Sequence, residues 1–258
     1  MIFVFSGTGN SYSVARRIGD ATGTPLVDLA AAVRYGRYTY DAGGEDVGFV
    51  FPTYYLGVPD KVRELARNLA IRDPGHVFAV STCGDDSGGA CDMLAELLGD
   101  RLKVDAFYDV RMPDNAIFAY DSPTPEEEAE ILSGSDAEVD EIVRSIGSHG
   151  CGDFRRHRGD GDWREVYRTY DEIRVTEPFA VTDRCIECRI CEDICPDQII
   201  KVYHRKPVWD EDRCSLCMSC LQLCPKQAIE FGETTKGKRR FFNRSYYERS
   251  IGIPLRYS

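Results

Sequence analysis

Cys185-Ile-Glu-Cys188-Arg-Ile-Cys191-Glu-Asp-Ile-Cys195-Pro196 returns as Cys214-Ser-Leu-Cys217-Met-Ser-Cys220-Leu-Gln-Leu-Cys224-Pro225. Every cysteine of the first run has its counterpart 29 residues later. The repeat is therefore one of the thiol framework itself. Three thiolates spaced by two residues each wrap three corners of a [4Fe–4S] cube. The fourth cysteine of each run is carried away on the following helix to the other cube. The spacing assigns Cys185, Cys188, Cys191 and Cys224 to one cluster and Cys214, Cys217, Cys220 and Cys195 to the second. Pro196 and Pro225 fix the chain's exit after each fourth ligand. Zinc would want pairs of cysteines separated by a longer loop, and disulfides would want an oxidising compartment that nothing else in the chain suggests.

Residues 179 to 232 resemble the bacterial two-cluster ferredoxins on the strength of these two runs. The remaining length, within 258 residues at 43% hydrophobic composition, is enough for a second compact domain with its own core. No apolar run reaches the length of a membrane span. Met1-Ile-Phe-Val-Phe5 is apolar but breaks at once into Ser6-Gly7-Thr8-Gly9, so it reads as a strand and not as a signal peptide. A cytoplasmic location is the expectation. The net charge of −11 is uneven: residues 180–258 carry 14 Lys+Arg against 11 Asp+Glu, and residues 1–179 carry 18 against 32. Nucleic acid is an unsuitable partner for such a chain. The asymmetry favours docking of one half on the other. His76, His149, His157 and His204 lie in no ligand-like motif and read as structural or surface residues.

Residues 1–150 alternate strands and helices. Strands are expected at Met1–Phe5, Pro25–Leu29, Asp46–Phe51, Val77–Ser81 and Val104–Val110. Helices are expected over Tyr12–Asp20, from Pro59 through the Val62, Leu65, Ala66, Leu69 stripe, over Gly88–Leu98, and from Pro125 onward with a break at Ser133-Gly134-Ser135. This pattern implies an α/β fold with a doubly wound, five-stranded parallel sheet. Such sheets bind ligands beyond the carboxyl ends of their strands. Three loops there carry unusual residues. Ser6-Gly7-Thr8-Gly9-Asn10-Ser11 joins a strand to a helix N-terminus and offers backbone N–H groups and hydroxyls to a phosphate dianion without any Lys or Arg. It is neither a Walker A loop nor Gly-x-Gly-x-x-Gly. Pro52-Thr53-Tyr54-Tyr55, with Gly57, presents ring faces beside a planar ligand. Thr82-Cys83-Gly84 permits close backbone approach, and Asp85 and Asp86 place negative charge nearby, disfavouring a reduced anionic flavin.

These three loops resemble those of the flavodoxin family, with Ser11 standing where Thr is common. The resemblance implies non-covalent FMN, its phosphate on Ser6–Ser11 and its ring between Pro52-Thr53-Tyr54-Tyr55-Leu56-Gly57 and Thr82-Cys83-Gly84. The whole chain resembles a group in which a flavodoxin-like domain precedes a two-cluster ferredoxin. The Met112-Pro113-Asp114-Asn115 segment and the basic tail also fit that group. The expected organisation is a flavodoxin-like FMN domain at 1–150, a connector at 151–178, a small α+β dicluster ferredoxin domain at 179–232 and a basic, aromatic tail at 233–258. Lys236, Lys238, Arg239 and Arg240 of that tail, followed by Phe241, Phe242, Tyr246 and Tyr247, are expected to pack on the acidic half.

The implied cofactors are two [4Fe–4S] clusters and FMN. The implied function is electron transfer that links one-electron carriers to a two-electron partner, with ferredoxin- or flavoprotein-type proteins as partners and an oxygen-poor host. The alternatives are a flavin-dependent reductase of a small acceptor such as a quinone, fed by the clusters, and a redox sensor. No nucleophile or base stands out for a catalytic role.

Overall fold

Apolar residues that alternate between two faces build the central sheet. The computed structural model describes residues 1–204 and 206–243. Its first half runs β1 (Ile2–Val4), α1 (Asn10–Thr22), β2 (Leu26–Asp28), α2 (Leu29–Arg34), β3 (Thr39–Asp41), β4 (Val47–Pro52), α3 (Asp60–Asn68), β5 (Ala70–Arg72), β6 (Val77–Cys83), α4 (Ala90–Leu98), β7 (Ala106–Arg111), α5 (Pro125–Gly147) and β8 (Gly152–Asp153). The main sheet has the order β2-β1-β4-β6-β7-β8, and every pairing is parallel. Ile2, Val4, Phe78 and Val80 pack with Val14 and Ile18 of α1 and Val139 and Ile142 of α5. Phe3, Phe49 and Phe51 pack on the other face with Leu65 of α3 and Leu94 of α4. Helices on both faces make the sheet doubly wound, and its first five strands follow the flavodoxin-like order.

Two expectations change. The sheet has six strands, because Gly152–Asp153, within the supposed connector, adds at the β7 edge. Gly152 N–H donates to Asp105 O (2.9 Å) and Phe154 N–H to Phe107 O (2.9 Å). Also, α5 runs unbroken through Ser133-Gly134-Ser135. Thr124 and Glu127 start it with a reciprocal capping box. Ser135 is buried, and its hydroxyl lies within bonding distance of Ile131 O inside the helix and of Arg111 O at the end of β7. That internal bond removes the reason for Ser to break a helix. β3 and β5 form a separate parallel pair that the sequence did not announce.

The segment between the halves is tied to both. Arg155, almost fully buried, holds Asp92 of α4 (2.7 Å) and Asp153 (2.6 Å). In α6 (Trp163–Ile173), Trp163, Tyr167 and Tyr170 form the buried stripe. Tyr167 OH donates to Val58 O (2.8 Å) in the first half, and Tyr170 OH donates to Ser215 O (2.8 Å) in the second.

The second half contains β9 (Phe179–Val181), α7 (Ile190–Asp193), β10 (Ile200–Tyr203), β11 (Lys206–Trp209), α8 (Ser219–Gln222) and β12 (Ile229–Phe231). β9 pairs antiparallel with β12, and β10 with β11. The 29-residue repeat extends to the backbone. Non-glycine residues with positive φ recur as Glu187 and Leu216 (60° and 51°), Arg189 and Met218 (61° and 57°), and Gln198 and Gln227 (58° and 47°). Left-handed residues between the cysteines turn the chain sharply enough to bring successive thiols to one side.

The start of the tail divides its basic residues: Lys238 and Arg239 reach the acidic half as expected, whereas Lys236 pairs with Glu233 of the tail itself and Arg240 with Glu230 of β12. Lys238 Nζ donates to Ile117 O and Tyr120 O (both 2.9 Å), Arg239 bonds Pro123 O and pairs with Glu128, and Asn243 N–H donates to Thr8 O (2.8 Å). Tyr246 and Tyr247 lie outside the described residues. No helix among the described residues is long and apolar enough to cross a membrane.

Replacing Arg155 by Met removes the inner of the two cations shared by Asp92 and Asp153, leaving only the more exposed Arg158 at 3.3 and 3.9 Å, and loosens the edge strand. The expected loss is about 2 kcal/mol of stability, read as a lowered unfolding midpoint. A change within a few tenths of that energy would show that the ion pairs do not anchor the segment.

Candidate functional site: two groups of thiols and a shared cleft

The repeated turns gather the eight cysteines into two groups. Cys185, Cys188, Cys191 and Cys224 line one small cavity, closed by Ile186, Ile190, Val202, Pro207 and Ile229 among others. Burial pushes Cys191 up to about 12, and its neighbours Cys188, Cys224 and Cys185 act in the same direction. In the other group, burial pushes Cys220 well above the ordinary thiol range, reinforced by Cys217, Cys195 and Cys214. Burial likewise raises Cys214 to about 12. Backbone N–H groups point at several of these sulfurs, including Leu216 N–H to Cys214 (3.3 Å) and Ala228 N–H to Cys224 (3.2 Å). Four thiols side by side, half-buried in the first group and largely buried in the second, with N–H donors around them form a donor set for a cationic iron cluster: its positive charge offsets the cost of ionising them together. Cys224 lines the cavity of the first run, and Cys195 neighbours Cys214, Cys217 and Cys220 of the second.

The two groups differ in exposure. Glu187 and Arg189 of the first are exposed to solvent. Their counterparts Leu216 and Met218 are 5% and 2% exposed. The sequence already carried this signal. A charged pair in one repeat and an apolar pair in the next mean that the second run faces protein.

That protein is the wall of a cleft of about 970 Å³ at the carboxyl ends of β1, β4 and β6. Ser6, Gly7, Thr8, Asn10, Ser11, Pro52, Thr53, Tyr54, Tyr55, Thr82, Cys83 and Gly84 all line it. Gly9 and Gly57 do not line it. Gly9, with φ 101°, caps α1, and Gly57 backs onto the Tyr167 ring. Tyr54 and Gly57 close a two-residue turn through Tyr55 and Leu56, both left-handed (φ 51° and 61°). Tyr54 and Tyr55 both approach Tyr170, at 6.1 and 6.0 Å between ring centroids. Gly84 packs against Asp114, whose carboxylate lies 2.8 Å from where a Cβ would be.

The hydrogen bonds of the first loop suit an anion. Ser6 Oγ accepts from Gly9 N–H (3.1 Å), Thr8 Oγ1 accepts from Asn115, and Ser11 and Thr82 share one bond (2.7 Å). Each arrangement leaves a hydroxyl proton for a further acceptor. The first turn of α1 adds N–H groups that have no intrahelical acceptor. Arg111 is the one Lys or Arg among the described lining residues, and it is engaged by Gly84 O and Asp85. Asn10 Oδ1 and Thr53 Oγ1 are buried without a partner among the described residues, so the cleft holds acceptors as well. These groups fit a ligand with an anionic end and a polar, hydrogen-bonding body.

Sequence reasoning singled out Met112–Asn115 without placing it at the site, and missed the rest of the far wall: Ala116 and Phe118–Tyr120, the Glu127, Glu130 and Glu138 face of α5, His157, and Leu216 with Met218. Asp86, expected simply to place charge nearby, accepts from Gly88 and Gly159 N–H (2.7 and 2.8 Å) and orders the loop. Of the cysteines outside the repeat, Cys91 is core, Cys83 lies buried at the cleft and Cys151 is exposed.

The family model described as a 4Fe-4S dicluster domain matches residues 176–229. No curated protein matches the chain. The dicluster match and the gathered thiols support iron–sulfur electron transfer.

Burial pushes Cys91 up to about 12 and raises Cys83 further. Iodoacetamide at pH 8 is therefore expected to label Cys151 well ahead of both in the folded protein, as peptide mapping would show. Labelling of Cys83 as fast as Cys151 would show a cleft more open, and a thiol more acidic, than this.

Proposed function

We propose that the chain is an electron-transfer iron–sulfur flavoprotein that links one-electron carriers to a two-electron partner. Cys185, Cys188, Cys191 and Cys224 hold one [4Fe–4S] cluster, and Cys195, Cys214, Cys217 and Cys220 hold the other. Ser6-Gly7-Thr8-Gly9-Asn10-Ser11, Pro52-Thr53-Tyr54-Tyr55 and Thr82-Cys83-Gly84 hold FMN, with Gly57 shaping the second loop. When bound, the clusters exchange single electrons and the flavin one or two.

The observation that carries this reading is the shared wall. Leu216 and Met218, which flank Cys217 in the second run, line the same cleft as the three loops. A Cβ on Gly7 would stand 2.5 Å from Cys217 O and 3.2 Å from Cys217 Cβ, so only glycine lets the two loops meet so closely. The remaining residues bind and exclude. Hydroxyls of Ser6, Thr8 and Ser11 and the start of α1 hold the phosphate. Asn10 and Thr53 accept from the flavin or its ribityl chain. Tyr54, Tyr170, Leu216 and Met218 keep water from the space between the cleft and the second thiol group. The first group, with Ile186, Glu187 and Arg189 exposed around it, faces ferredoxin- or flavoprotein-type partners.

A second reading, a flavin-dependent reductase of a small organic acceptor such as a quinone, draws on the extent of the cleft. It continues past the three loops to α5, where His157 Nε2 lies 2.9 Å from Glu138.

Anaerobic purification followed by acid release should give about eight irons and one FMN per chain. Iron without flavin, even after incubation with FMN, would leave the first half as a docking scaffold. Turnover with a quinone in the absence of any carrier protein would favour the second reading.

A further inference from the structure

Ser219 stands between the two sites. Its hydroxyl lies 2.6 Å from Gly7 O and 3.2 Å from Cys217 Sγ, and both contacts are buried. The Gly7 carbonyl can only accept, so the short bond uses the hydroxyl proton. A serine has one such proton. Once Cys217 is a thiolate ligand it too can only accept, and the two acceptors then share a single donor.

Gly7 belongs to the loop that lines the cleft with Ser6, Thr8 and Ser11. In a trans peptide, C=O and the following N–H point in opposite directions. Holding Gly7 O toward Ser219 therefore turns Thr8 N–H away from the second half. Thr8 is otherwise gripped by Asn115 at its hydroxyl and by Asn243 N–H at its carbonyl (2.8 Å). The neighbouring Gln222, in the same short helix as Ser219, donates to Asn115 O (2.7 Å) and accepts from Phe241 N–H (2.9 Å). The surroundings of the loop are thus well fixed. The Gly7 peptide depends on the one hydroxyl that the sulfur also contests.

We propose that Ser219 is a positioning residue that couples the charge on the Cys217 sulfur to the set of the Gly7–Thr8 peptide, and so to the affinity of the cleft for the phosphate end of a flavin. The inference rests on the reading of the cleft as a flavin site and of Cys217 as a cluster ligand. It adds that neither site is independent of the other. A bond that is shared must be reciprocal: whatever strengthens the demand of the sulfur loosens the loop, and a filled loop takes donor strength from the sulfur.

The test uses the anaerobically purified full chain with Ser219→Ala, Ser219→Thr and Ser219→Val. Thr and Val have the same shape, so packing damage from the added methyl is common to both and only the hydroxyl differs. Three quantities are read: iron per chain, the dissociation constants of FMN and riboflavin by flavin fluorescence, and the cluster midpoint potentials by EPR-monitored titration. Iron should stay at the parent level. FMN should bind about tenfold more weakly to the Ala and Val variants and near the parent value to Thr, the loss expected for one hydrogen bond. Riboflavin, which lacks the phosphate, should change less than about twofold, within the noise of one weakened contact. One cluster potential should fall in Ala and Val and recover in Thr, because a donor to sulfur favours the reduced state. Equal FMN affinity in Thr and Val, or equal losses for FMN and riboflavin, would overturn the proposal while leaving the flavin site standing. Failure of the parent chain to bind FMN would instead remove the flavin reading, and this inference with it.

Discussion

Eight sulfurs gathered into two close groups, one half-buried and the other largely buried, constrain everything else in the second half. Desolvation, reinforced by neighbouring thiols, drives Cys191 and Cys214 up to about 12, and each thiolate that forms makes the next harder to form. The surrounding structure is slight: two pairs of strands three or four residues long and two four-residue helices. Such elements are marginal on their own. Iron binding supplies what they lack, because ligation energy counts as folding energy when the site does not exist in the unfolded chain. The left-handed residues at 187, 189, 216 and 218 make sense in this light. Their backbone strain is tolerated where ligation over-determines the turn.

The same constraint explains why the halves pack directly on one another. The second thiol group is less exposed than the first because the α/β half covers it. Gly7 meets Cys217, Tyr170 bonds Ser215 O, and Lys61 pairs with Asp197 at 3.3 Å. Asp197 in turn accepts from Ser215 N–H and Oγ (2.6 and 2.7 Å). A single ion pair of this kind contributes little by itself. Here the contacts land on the same short loop, Cys214–Gln222, directly or through Asp197, and together they hold it against the cleft. The tail closes the arrangement from the other side through Lys238, Arg239 and Asn243.

How much of this was legible in the sequence follows from the range of each interaction. Thiol spacing is local, so the ligand groups could be read from it. The five main strands were legible because apolar runs bounded by turn residues are local as well. β8 was not, since Gly152-Asp153 has no strand preference and forms because the β7 edge presents Asp105 O and the pairing around Phe107. Ser133-Gly134-Ser135 looked like a helix break because propensity is a weak prior. Packing of Val139, Ile142 and Ile146 below it, with the Ser135 hydroxyl bonded inward, overrode that prior. The far wall of the cleft depends on residues brought together from positions over a hundred apart, such as Asn10 with Pro113 and Gln222 with Asn115. Nothing in a local window reports such a meeting. The exchange of Glu187 and Arg189 for Leu216 and Met218 does report it indirectly, as a change of environment between two copies of one motif.

That exchange also gives the molecule a direction. Two copies of a motif placed in equivalent surroundings would present two equivalent faces to a partner protein. Here one copy keeps charged residues in water, with Ile186 43% exposed beside them, while the other buries its apolar pair against a cleft. The first copy is the one open to solvent. A ligand in the cleft meets the second. Because Cys195 and Cys224 cross between the groups, the two copies cannot be separated without dismantling both. The repeat therefore joins a solvent-facing group of thiols to one that backs onto the cleft.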